Sequence, residues 1–158
     1  MGTMTWEEII IKIRKDPAFR DLVELAYFEE ALELNVTRFR SSDEYKETLR
    51  IIHEHIKSSN ALHLADIGAG NGVASVSFAL DGFQVTAVEP DPSTTIGAGA
   101  INSLKQQFHL DKLTVVQAWG ESLPLESASF DVCYIRQAMH HAHKLDSFIK
   151  EAARLIKP

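Results

Sequence analysis

A single cysteine, Cys133, stands in the whole chain, so no internal disulfide framework braces it. That scarcity fits a reducing compartment, and the apolar run around Cys133 predicts a buried structural thiol rather than a nucleophile. No stretch approaches the roughly 18 apolar residues that a bilayer span needs. The opening residues, Met1-Gly2-Thr3-Met4-Thr5-Trp6, lack the basic and apolar regions of a signal peptide, and Trp6 breaks the myristoylation pattern. Positive charge is scarce as well: 16 Lys and Arg against 22 Asp and Glu leave a net charge of −6. That balance speaks against a broad phosphate-binding surface, and so against nucleic acid as a partner. No repeat or low-complexity segment breaks the chain. The expectation is a cytoplasmic protein with no membrane partner.

At 158 residues the chain predicts one compact domain. Such a chain can bury roughly 68–70% of its unfolded surface, enough for a core without staples. Residues 1–58 read as a helical cap. Trp6, Ile9, Ile10 and Ile13 share one face; Asp16-Pro17 then reads as an N-cap with proline in the first turn. Phe19, Leu22, Val23, Ala26 and residues 28–32 carry a second stripe. Ser41 and Glu44 have capping-box spacing and open a third helix, which Ser58-Ser59-Asn60 ends.

Residues 59–158 alternate. Strands are predicted over 62–67, 83–88, 113–116 and 130–135, with helices over 72–80, from Asp91-Pro92 to about Phe108, and over 145–156. Gly97 and Gly99 weaken the start of the middle helix by about 1 kcal/mol each. Alternation of this kind implies a parallel sheet covered on both faces, a doubly wound α/β fold.

The chemistry concentrates where the first strand ends. Asp66-Ile67-Gly68-Ala69-Gly70-Asn71-Gly72 places three glycines on alternate positions, where backbone can approach a ligand closely. The following helix would aim free N–H groups at the same space. Glu89-Pro90 ends the second strand, and Glu89 lies 21 positions after Gly68, the spacing of an acid that reaches ribose hydroxyls. A dinucleotide loop would need glycine where Val73 stands, so the spacing opposes a nicotinamide-dependent oxidoreductase.

Four motifs in order resemble the class I S-adenosylmethionine-dependent methyltransferases, with their Rossmann-like fold, over about residues 60–158. They are the Asp66–Gly72 loop, Glu89, the run Leu123-Pro124-Leu125 to Ser129-Phe130-Asp131-Val132 with Ala138-Met139-His140-His141, and Glu151-Ala152-Ala153-Arg154-Leu155-Ile156-Lys157-Pro158. The resemblance implies S-adenosylmethionine as cofactor. Its methionine end would lie against Asp66, Arg136, Gln137 and Ala138, its ribose on Glu89. Where the family commonly has an acid for the adenine amino group, this chain has Trp119-Gly120-Glu121. Trp119 then either stacks on the base or simply packs, and Glu121 inherits part of the polar role. The family continues past Lys-Pro with further strands. A chain stopping at Pro158 therefore reads as a truncated member with an exposed fourth strand, which a second copy of the chain could cover.

His140, His141 and His143 lack the accompanying carboxylates or cysteines of a metal site, so no metal is expected. Asp131 reads as a strand-start residue bonding to backbone. His140, His141 and Tyr27 are conceivable bases, but no catalytic residue is assigned. The expected activity is in-line methyl transfer to a small-molecule acceptor. The rival reading is a non-catalytic S-adenosylmethionine-binding module or inactive fragment that works with a partner.

Overall fold

The computed structural model describes residues 4–57 and 60–158. Four helices come first: α1 (Trp6–Arg14), α2 (Arg20–Leu25), α3 (Leu32–Ser41) and α4 (Asp43–His55). Then follow β1 (His63–Ile67), α5 (Val73–Leu80), β2 (Gln84–Val88), α6 (Ala98–Gln107), β3 (Leu113–Val116), β4 (Val132–Tyr134) and α7 (Leu145–Leu155). All strands are parallel, in the order β3-β2-β1-β4. This is the doubly wound α/β architecture that the alternating pattern predicts, and the methyltransferase-like, Rossmann-like resemblance implies it too.

Period-two alternation divides the core between two faces. Leu64, Val85, Ala87 and Leu113 point toward α5 and α6 and share a core with Val36, Phe39, Tyr45 and Ile52 of α3 and α4. Ala65, Ile67 and Val88 point the other way and meet Phe148, Ala152 and Leu155 of α7. Helices α3 and α4 are thus built into one face of the sheet. A latch reinforces it: Tyr45, 2% exposed, donates to Asp81 Oδ2 at 2.7 Å, and Arg40 pairs with the same carboxylate at the end of α5.

Several boundaries differ from the sequence expectation. Asp16 does cap Pro17–Phe19, accepting from Ala18 N–H at 3.0 Å, but that turn is a short 3-10 segment. The segment 32–41, read from sequence only as the end of a stripe and a gap, is helix α3. Ser42, not Ser41, caps α4, because α3 runs through Ser41 and the chain turns extended only at Ser42. Its Oγ accepts from Tyr45 N–H at 3.2 Å, and Glu44 turns away from the cap altogether. The expected stop at Ser58-Ser59 falls outside the described residues, as do Met1, Gly2 and Thr3.

The helix expected from Asp91-Pro92 begins only at Ala98. Asp91 Oδ1 accepts from Ser93 N–H at 2.8 Å, and the loop folds back so that Ala98 N–H reaches Asp91 O at 2.7 Å. A Cβ at Gly97 would lie 2.2 Å from that carbonyl, so the glycine permits the fold-back. β4 is shorter than expected, and Phe130 makes an isolated parallel bridge to Ile156. Among the described residues no helix is long and apolar enough to cross a membrane.

Candidate functional site

The loop between β1 and α5 is fixed by the strand beside it. Gly68 and Ala69 both donate to Val88 O, at 2.9 and 3.0 Å, which pins the loop to the end of β2. Gly68, Gly70 and Gly72 have φ of 78°, 56° and 82°, left-handed values that L side chains rarely adopt. Their surroundings differ. A Cβ on Gly68 would meet Ala138 Cβ at 2.3 Å and one on Gly72 would meet Ile101, whereas on Gly70 the nearest atom is 4.0 Å away. Gly68 and Gly72 serve packing; Gly70 faces open space at the carboxyl edge of the sheet.

Glu89 closes the other side of that space. It is 8% exposed; Oε2 accepts from Gly70 N–H at 2.7 Å and Oε1 from Asp91 N–H at 3.0 Å. Each carboxylate oxygen keeps a lone pair for a further donor, as a vicinal diol would supply. Burial raises its pKa, against the two N–H bonds that lower it. Asp66, 1% exposed, accepts from Ser75 Oγ at 2.5 Å. Burial pushes its carboxyl up to about 6; the Ser75 bond opposes this, the Glu89 charge adds to it, and Arg136 pulls the other way. An ammonium group placed here would offset that burial. The cradle therefore fits a ligand carrying both a ribose and an ammonium.

Other residues singled out from the sequence fall around the same edge with distinct tasks. Arg136 follows β4 and holds Glu44 of α4 in a two-point pair, at 2.6 and 3.1 Å. Its guanidinium lies over the rings of Tyr27 and Phe39, at 5.3 and 5.2 Å. Gln137 takes φ of 54°, which carries the chain sharply into Ala138 beneath Gly68. Pro90, next to Glu89 in the chain, is partly buried. After β3, Trp119 is 57% exposed and edge-on to His143 at 5.0 Å. Glu121, expected to share a polar role toward the ligand, accepts through Oε1 from the His143 and Lys144 N–H groups at 2.7 and 3.4 Å.

Two contacts had no signal in the sequence. Asn71 donates to Tyr27 O at 2.7 Å, tying the glycine loop to the strap between α2 and α3. Tyr134 stands in register beside Asp66, and its ring packs against Phe78 of α5.

The remaining candidates lie elsewhere or lack a matching set. Asp131 sits at the opposite edge, accepting from His63 N–H at 2.8 Å and pairing with Lys157 at 2.7 Å, as a strand-start residue should. Cys133 is half-buried; burial pushes its thiol up to about 11, and it donates to Ala152 O at 3.4 Å. His140 and His141 face each other at 3.9 Å on an exposed turn. Among the described residues no group of three His, Cys, Asp or Glu could hold a metal.

Residues 65–158 match the family described as methyltransferase domain. A sterol 4-C-methyltransferase of Caenorhabditis elegans is 30% identical over 118 residues, 72% of this chain and 34% of that protein. The chain thus spans about a third of the length of that relative. A putative methyltransferase from an antibiotic biosynthesis pathway of Anabaena variabilis superposes with a TM-score of 0.56 at 27% identity, covering 71% of this chain and 42% of that one. A SAM-dependent methyltransferase from Aquifex aeolicus shares the fold over 98% of this chain and 69% of its own, with a TM-score of 0.65 at 15% identity. The chain belongs to the methyltransferase-domain family, whose cofactor is S-adenosylmethionine.

Proposed function

We propose that this chain binds S-adenosylmethionine in the cradle at the carboxyl edge of its sheet and transfers the methyl group in line to a small-molecule acceptor. The observation that carries the reading is the Gly70–Glu89 bond. It sets a buried carboxylate and an open, left-handed glycine on either side of one space. Glu89 would accept from both ribose hydroxyls, and Asp66 would accept from the ammonium. Gly70 would let backbone approach the ligand, with Gly68, Ala69 and Gly72 holding the loop in place around it. Arg136 and Gln137 would line the methionine side, with Pro90, Trp119, Gly120 and Glu121 beyond the ribose.

The bound cofactor supplies an activated methyl group on a sulfonium leaving group. The work left to the protein is alignment and exclusion of water, worth several kcal/mol when reacting groups are held in place. The Tyr27 strap, tied to Asn71, and the Arg136–Glu44 pair hold the helical cap over the site's flank. An apolar acceptor of the kind named for the nematode relative would suit exposed apolar side chains such as Leu22 and Leu25 of α2. The net charge of −6 favours such a molecule over nucleic acid. The sheet ends in β4, and a second copy of the chain would cover that edge.

Incubation with methyl-labelled cofactor and a panel of small hydroxyl, amine and apolar acceptors tests the reading. Label should move to one acceptor class and cease in Gly70→Ala. Cofactor binding with no transfer to any class would leave the non-catalytic module as the correct reading.

A further inference from the structure

Tyr27 lies in the strap between α2 and α3 and takes φ of 58°, a left-handed value that is costly for an aromatic L residue. A second cost sits on the same strap. Asn35 of α3 is fully buried and donates to Glu29 O at 3.0 Å, yet its Oδ1 has no partner among the described residues. Such an arrangement persists only where its surroundings hold it.

Part of that hold comes from α3: Arg38 lies over the Tyr27 ring at 5.4 Å, and Phe39 meets it edge-on at 5.6 Å. The rest comes from the site. Asn71, next to Gly70, donates to Tyr27 O at 2.7 Å, and its Oδ1 accepts from Val73 N–H at 3.4 Å. Arg136, at the end of β4, lies over the Tyr27 ring at 5.3 Å, and its charge favours the ionised form of the buried Asp66 carboxyl. Tyr27 is thus tied to both sides of the cradle: to the loop whose Gly70 holds Glu89, and to the residue that acts on Asp66.

Helices α1 and α2 go with the strap. Phe28 N–H donates to Val23 O at 2.8 Å. Arg14 of α1 donates to Phe28 O and, at 3.2 Å, to Glu29 O, and Trp6 meets the Phe28 ring edge-on at 6.1 Å. The two helices and the strap therefore form one arm, and Asn71 and Arg136 fasten it to the cradle.

We propose that the cofactor controls this fastening: with the cradle occupied the Gly70–Asn71 loop is held and Tyr27 stays docked, and with it empty the strap releases and the arm, residues 5–31, swings away. This deepens the cofactor assignment above and rests on it. A fixed loop keeps the Asn71 donor in place against the strain at Tyr27, and a loosened loop does not. Coupling is reciprocal, so a docked arm tightens cofactor binding by the factor by which the cofactor favours docking.

Spin-label distances between α2 and α7 read the arm directly. The labels go on Leu25→Cys and Ile149→Cys, both exposed, with Cys133→Ser removing the native thiol. Saturating S-adenosylhomocysteine should raise the ratio of docked to released arm at least about fivefold, and equally in Tyr27→Phe, which keeps the ring and the carbonyl. Tyr27→Ala removes the ring, and Asn71→Asp removes the donor while keeping the acceptor for Val73. Both should lose the shift and bind S-adenosylhomocysteine at least about fivefold more weakly by calorimetry. A purely structural role would lower stability and leave the shift intact. A single distance that the ligand does not alter, or a shift that persists undiminished in either variant, overturns the proposal. Failure of S-adenosylhomocysteine to bind the wild-type chain overturns the cofactor assignment instead, so the two failures are distinguishable.

Discussion

Asp66 pays in stability for its position, because burial holds its carboxyl near 6 instead of the ordinary 3.8. Between those values the folded chain binds a proton that the unfolded chain has released, so this group's contribution falls as pH rises through the window. The loss is on the order of 3 kcal/mol by pH 7. Asp66→Asn should thus be more stable than wild type in urea at pH 7.5, with the advantage shrinking toward pH 4, yet bind S-adenosylhomocysteine at least about tenfold more weakly. Equal stability at both pH values would sink this reading. The glycines divide differently. Gly70→Ala should lose about 1–2 kcal/mol to its left-handed φ and lose cofactor binding, because the new methyl enters the ligand's space. Gly68→Ala should lose markedly more stability, since it also drives into Ala138. Paired denaturation and titration curves separate the two.

The helical cap and the Rossmann-like core meet through few polar contacts, and these lay beyond the reach of local spacing. Asp66, Gly70 and Glu89 were legible because each belongs to a strand-end motif with a fixed interval. Glu44 with Arg136, Tyr45 with Asp81 and Asn71 with Tyr27 join residues 92, 36 and 44 positions apart, and no periodicity encodes such pairs. Helix α3 escaped notice because its polar face and the Phe28–Leu32 run blurred the period. The start of α6 was misplaced because the Asp91-Pro92 cap signal was spent on a loop that folds back on Gly97. Glu121 was legible from its place before Leu-Pro, but the bonds its Oε1 accepts from the His143 and Lys144 N–H groups were not, since no spacing encodes them. The latch gives a direct check. Tyr45→Phe should cost about 0.5–1.5 kcal/mol in chemical denaturation while leaving cofactor affinity unchanged. A change in affinity with no change in stability would contradict the role of this pair as a structural latch.

Two cores on either face of one parallel sheet bring the ends of β1, β2, β3 and β4 to a single edge, and the chemistry gathers there. That arrangement was readable from the alternation of strands and helices, whereas the packing of α3 and α4 into the same core as β1 was not. The central claim is that this edge binds S-adenosylmethionine through Glu89. Thermal unfolding tests it most directly: the chain with S-adenosylhomocysteine, with NAD and ATP as controls, and with a Glu89→Ala variant. Ligand at 100 times its dissociation constant stabilises by about 2.7 kcal/mol, a rise in Tm of about 5–10 °C for a chain of this size. A rise of that order with S-adenosylhomocysteine alone, absent in Glu89→Ala, is the predicted result. No rise, or an equal rise with NAD or in the variant, would contradict the assignment.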